Sequence, residues 1–243
     1  MTFCHDRNRV SMGRKTASTS TKDKKGIRTR ETILKAARKV FSEHPYHAAS
    51  MRMIGKEAGI EHPLINYYFP SKAELFETII LDICDEFVRS NDVWFDAVNE
   101  LGISEGFNHY IDQLLDYNQR SPEPLRILAL NVSQAEHISQ IPGYRHFPVL
   151  IENILKIFEK NITHKGADQE IRMYIHSFIF LVIALLGASP CIAQVQGMEP
   201  GSSQYRDWVR NTLIFIFRPR LRDIIFPAVA GKDTRKNKAK KRY

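Results

Sequence analysis

The 243-residue chain has little cysteine, glycine or proline, with 3, 12 and 11 respectively. Cys4, Cys84 and Cys191 lie far apart, are odd in number and form no CxxC pair. Neither a disulfide framework nor a zinc site is thereby indicated, and a reducing cytoplasm fits best. Scarce Gly and Pro beside 43% hydrophobic residues exclude collagen-like and disordered classes and leave one or two compact domains. The longest apolar run, Phe178 to Ala188, is shorter than the roughly 20 residues a spanning helix needs. It reads as a buried helix, so no membrane partner is expected. The first residues carry charge without the apolar stretch of a secretory signal. GxSxG, HExxH, P-loop and strand-to-helix GxGxxG patterns are all missing. Neither catalytic residues nor a cofactor is therefore expected, and the protein reads as no enzyme. His44 and His47 stand three apart without further ligand-type neighbours, which gives no metal site.

What the chain does have is segregated charge. The net +8 splits into +5 over residues 1–27, +3 over 28–75, −6 over 76–230 and +6 over 231–243. An acidic body with basic ends suggests a polyanion partner for one end of the molecule, although each tail alone reads equally as a solubilising, disordered run.

Apolar spacing is helical throughout, with no strand alternation and no fixed repeat. The expected fold is all-α. A basic, disordered tail covers 1–26, a three-helix segment 27–72, a larger helical domain 73–226, and a second disordered tail 227–243. Ile33, Ala36, Ala37, Val40 and Phe41 form the stripe of a first helix closed by His44-Pro45. Ser50 caps a second helix that ends at Gly59; Pro63 suits the opening turn of a short third helix. Ser71-Lys72-Ala73-Glu74 is a capping box opening a long fourth. Further helices are expected near 104–119, 122–138, 148–164, 167–189, where Pro190 stops the chain, and 203–217.

Residues 50–69, SMRMIGKEAGIEHPLINYYF, have the spacing of a helix-turn-helix, whose second helix presents side chains to base edges in the major groove. Arg52 and Lys72, near helix starts, are candidate phosphate contacts. Glu61, His62, Pro63, Leu64 and Asn66 occupy the outward positions of the short helix. Asn and His can hydrogen-bond a base, and Leu64 or Pro63 can pack on a thymine methyl. Tyr67 is a candidate phosphate or base contact, whereas Tyr68 and Phe69 are expected in the core. Each of these residues could equally be an ordinary exposed polar group, because the spacing alone fits any two helices joined by a Gly turn.

The stretch from Thr29 to about Leu81 resembles the N-terminal domain of the TetR family of bacterial transcriptional regulators. The resemblance is carried by Ile33-Leu34-x-Ala36-Ala37-x-x-x-Phe41, Ile54-x-x-x-Ala58-Gly59-Ile60 and Tyr67-Tyr68-Phe69-x-Ser71-Lys72-x-x-Leu75. His44-Pro45, Gly55 and Asn66 depart from the family's usual Gly, Ala and aromatic residue. The resemblance implies a homodimer on a palindromic double-stranded operator, usually a repressor, with a small-molecule effector bound in the C-terminal domain. It also implies a four-helix dimer interface from the last two long helices, here with Phe178, Val182, Leu185, Trp208, Leu213 and Ile216 as candidates. Candidate pocket residues, each of which could instead be plain core, are Trp94, Phe107, Tyr110, Tyr117, Asn131, Gln134, Met173 and His176. Phe95 and Phe180 belong to the same aromatic set. The location expected is the bacterial cytoplasm, on the nucleoid. The alternatives are an architectural binder that uses its tails without sequence preference, and a helical small-molecule binder with no regulatory role.

Overall fold

The computed structural model describes residues 21–132, 134, 138–162 and 168–225, so the segments 1–20 and 227–243, expected as tails, lie outside the described residues. Within that range the chain is helical. The order is α1 (Thr21–Glu43), α2 (Met51–Ala58), α3 (His62–Tyr68), α4 (Lys72–Leu101), α5 (Ile103–Arg120), α6 (Glu123–Val132), two 3-10 turns, α7 (Phe147–Asn161), α8 (Asp168–Val182), a π-helical turn (Ile183–Gly187), α9 (Ser189–Val195) and α10 (Ser203–Ile225).

The first helix starts before Ile27, where order was expected to begin. Lys24 and Lys25 are part of α1, and Thr29 Oγ1 and Thr32 Oγ1 donate back to the carbonyls of Lys25 and Arg28. The caps fall where the sequence places them. Ser50 Oγ accepts from Met53 N–H, Ser71 Oγ accepts from Glu74 N–H at 3.1 Å, and Gly59 takes the left-handed conformation at φ 64°. Two expected stops differ. The segment from 167 does not run as one helix to Pro190; it ends at Val182, passes through the π turn, and Pro190 lies in the first turn of α9. The last helix does not end at Phe217 but continues through Pro219. Pro219 cannot bond the carbonyl of Phe215, and Phe215 is on the exposed side, where water can take its place.

One continuous core joins the two parts of the molecule, and α4 belongs to both. Phe76 of α4 is fully buried at the junction, edge-on to Phe41 of α1 at 4.7 Å, 5.0 Å from Tyr46 and stacked on Tyr144 at 6.4 Å. Further along α4, Arg38 of α1 forms a two-pronged ion pair with Glu86, and Tyr117 of α5 donates to the same carboxylate. Helix α6 rests against α1 on one side and against the π turn on the other.

The helix from Asp168 to Gly187 has the length and composition of a membrane span, with a mean hydropathy of 1.6 over its best window, but half of that window is buried inside the fold.

Candidate nucleic-acid interface

The helix-turn-helix is held from behind by Ile54 of α2 and Ile65 of α3, both fully buried against α1. The turn between them is close. Ile60 N–H donates to Gly55 O at 3.0 Å, and a Cβ on Gly55 would stand 2.9 Å from Ile60 O and 3.2 Å from Ile65 Cδ1. Glycine at 55 thus allows α2 and α3 to approach this closely.

With Ile65 inward, the rest of α3 faces out. Glu61, His62, Pro63, Leu64, Asn66 and Tyr67 are all exposed, Tyr67 by 79%. Leu64 and Tyr67 thus present apolar surface on one short helix. Asn66 Nδ2 and His62 Nδ1 lie 3.3 Å apart, one turn from each other, so the two base-reading candidates hold one another in place. Tyr68 is half-buried and Phe69 buried beneath Arg30, as expected of core-side rings.

Arg52 is exposed and joins Lys56, Gly59, Glu61 and His62 around an open concavity of about 380 Å³. Lys56 was not foreseen as a contact; its place one turn after Arg52 was the available signal. The early start of α1 brings in others. A Cβ on Gly26 would lie 3.6 Å from the Tyr68 hydroxyl, so the first turns of α1 run beside the end of α3. Lys24, Lys25 and Arg28 are exposed there. None of these five cations pairs with an acid among the described residues, whereas Arg38 and Lys39 are engaged by Glu86 and Glu57. Residues 21–26, whose composition reads as a tail, are helical and carry part of this group.

Lys72 has a different task from the one expected. Its ammonium donates to the carbonyls of Tyr46 at 2.8 Å and Ala49 at 2.9 Å and sits 4.3 Å from the Tyr46 ring centre. Burial pulls its pKa below the usual lysine value. Two of its three donors are spent on the loop that leads into α2, so it clamps that loop to α4 rather than reaching outward.

The other candidates separate in the same way. Trp94, Phe107 and Tyr110 are buried around two small cavities inside the α4–α5–α7–α8 bundle. Tyr117 is bound to Glu86, His176 is half-buried and lines neither cavity, and Gln134 and Met173 are exposed. Asn131 is fully buried but faces the junction, not a cavity. Its Oδ1 accepts from Tyr46 N–H at 2.7 Å, and its Nδ2 donates to Ile127 O at 2.9 Å. Of the six interface candidates, Phe178, Val182, Leu185 and Leu213 are buried in the chain's own core and present no surface to another subunit. Trp208 is half-buried and Ile216 exposed. The outward apolar residues of the same helices are Met173 and Phe180 on α8 and Phe215 and Ile216 on α10.

Comparison with known proteins agrees with this geometry. Residues 33–79 match the profile described as bacterial regulatory proteins, tetR family. The HTH-type transcriptional repressor NicS of Pseudomonas putida is 31% identical over 170 residues, covering 68% of this chain and 78% of NicS. The HTH-type transcriptional regulator UidR of Escherichia coli is 45% identical over 53 residues, 22% of this chain and 27% of UidR. The fold is shared with the fatty acid degradation regulator FadR from Bacillus halodurans (TM-score 0.55, 17% identity, 76% of this chain and 94% of that one). It is shared too with the transcriptional regulator FadR from Bacillus subtilis in complex with stearoyl-CoA (TM-score 0.54, 15% identity, 76% and 97%). With a helix-turn-helix built as described and a relative matched over most of its length, the chain belongs to the TetR family and is a DNA-binding transcriptional regulator, not an enzyme.

Proposed function

We propose that this protein is a homodimeric, sequence-specific repressor whose hold on its operator is relaxed by a small-molecule effector. The observation that carries the DNA reading is the outward set on α3, with Leu64, Asn66 and Tyr67 ringed by cations that have no acidic partner among the described residues. Phosphate contacts from Lys24, Lys25, Arg28, Arg52 and Lys56 set register, and α3 reads the bases. The relative NicS is named a repressor, which supports repression here.

Exposed Met173, Phe180, Phe215 and Ile216 support dimerisation through the outer faces of α8 and α10, since apolar side chains grouped on two helices are better covered than solvated. Helix α6 supports effector control. Its Leu125 and Leu128 line an interior cavity, while Asn131 on the same helix holds the loop before α2. A ligand that favours a shifted α6 weakens DNA binding by its difference in affinity for the two arrangements and by no more than that.

Selection of duplexes from a random pool tests the reading. The full chain should enrich a two-fold symmetric sequence, with affinity falling steeply as salt rises. Arg52→Ala should weaken all sequences similarly and lower the salt slope by about one. Asn66→Ala should change which sequence is enriched, with about 1–3 kcal/mol of discrimination lost at the position it reads. If no sequence is enriched, the architectural alternative replaces this one; if Asn66→Ala selects the same sequence, Asn66 is not a reader.

A further inference from the structure

The larger share of the interior wall in the α4–α5–α7–α8 bundle is carbon. A cavity of about 30 Å³ is lined by Phe95, Phe107, Tyr174, Phe178 and Leu221 among others, with no charged side chain among the described residues of its wall. Tyr174 is 7% exposed, edge-on to Phe217 at 5.5 Å and tilted against Phe158 at 6.2 Å, and its hydroxyl has no hydrogen-bond partner among the described residues. Buried hydroxyls are nearly always paired, so an orphan in a carbon-lined space calls for a reason. Phenylalanine would fill the ring's place without leaving a donor unpaired. The nearby Tyr110 shows the ordinary solution, donating to Asn91 Oδ1 at 2.6 Å.

A second cavity of about 40 Å³ adjoins the first and shares Tyr110, Ile154, Phe178 and Ile179 with it, with Trp94 in its wall. A ligand spanning both would have to displace the shared side chains between them. We propose that the Tyr174 hydroxyl is the anchor for an uncharged, elongated, apolar effector that carries a single hydrogen-bond acceptor, such as a ketone, aldehyde or ester oxygen. Because no cation among the described residues lines either cavity, a carboxylate would meet no counter-charge from them. The proposal rests on the reading of this domain as ligand-responsive and names the ligand's chemistry and its polar contact.

The test uses the full chain with methyl octyl ketone, decane and decanoate at neutral pH, followed by calorimetry and tryptophan emission without DNA. The ketone should bind about tenfold more tightly than decane, the worth of one buried hydrogen bond, and decanoate should bind more weakly than the ketone. Tyr174→Phe should melt no lower than the wild type, because only an unpaired hydroxyl is removed, and should lose the preference for ketone, binding it more weakly than decane because its oxygen would be buried unpaired. Equal binding of ketone and decane by the wild type overturns the anchor. So does a ketone preference that survives Tyr174→Phe, tightest binding of decanoate, or binding of none of the three. Operator affinity is measured separately. If the ketone binds through Tyr174 without altering that affinity, the anchor stands and effector control fails; if none of them binds while a sequence is still selected, the anchor fails and the DNA regulator stands.

Discussion

Phe76→Ala should lower stability by about 3–5 kcal/mol, the usual cost of removing a fully buried phenyl ring and leaving its space unfilled. For a domain of this size each kcal/mol moves the melting temperature by about 2–4 °C, so a fall of roughly 6–20 °C is expected. The effect should be more than a lower midpoint. The ring touches Phe41 of α1, Tyr46 of the loop before α2 and Tyr144 from beyond α6, so it is one of the packing contacts that make head and body a single unit. Its loss should separate the melting curve into two transitions, with the head going first and operator binding disappearing with it. Scanning calorimetry checks this. A single transition within about 2 °C of the wild type would show that the junction is held by other groups. Phe76→Leu, which keeps most of the volume, should cost far less and serve as the folded comparison.

Gly187→Ala is the second large effect. Gly187 ends the π turn where it crosses α6, and a Cβ there would overlap the carbonyl oxygen of Leu125 and stand 2.6 Å from Ala129 Cβ. Those atoms belong to helix backbone and to a short side chain, so they cannot swing away; α6 itself has to move. Overpacking of this kind costs about 1–3 kcal/mol, more than the few tenths to 1 kcal/mol gained by replacing a helical glycine. Because α6 also carries Asn131, the displacement should stretch the bond to Tyr46 N–H and change operator affinity even with no ligand present. Thermal melting together with operator titration checks both parts. An alanine variant of unchanged stability and unchanged affinity would show that the crossing yields elsewhere.

Much of the head was legible because its signals are local. Ser50, Gly59 and the Ser71–Glu74 box act within a few residues, and Ile33, Ala37, Ile54 and Ile65 mark their buried faces by spacing alone. The exposed set on α3 follows from the same periodicity. What escaped depends on partners distant in sequence. Nothing near Lys72 says that the carbonyls of Tyr46 and Ala49 will meet its ammonium, and nothing near Asn131 says that it will hold an N–H 85 residues earlier. The helices expected at a dimer seam show a different failure. Two apolar stripes share each of them, and the more regular one, through Phe178, Val182 and Leu213, is the one buried in the chain's own core. The outer stripe is sparser and broken by polar residues, so periodicity selects the face that packs into the chain's own core. Tyr174 escaped for the opposite reason: a tyrosine in an apolar helix looks ordinary until its hydroxyl is found without a partner.

Helix α4 is 30 residues long, which at 1.5 Å per residue makes it about 45 Å from end to end. One end is tied to the head by the Lys72 clamp, and along its length it passes Glu86, Asn91 and Trp94, beside the bound arginine and the interior cavities. A rod of that length converts angle into distance. Tilting it by about 4–5° about its far end carries the head about 3.4 Å, one step along a DNA strand. In a dimer the two heads would each move by such a step, and their spacing would leave the register of successive grooves while each head kept its internal structure. A cavity need therefore widen by only a fraction of an ångström near the pivot for two intact reading heads to lose a matched site.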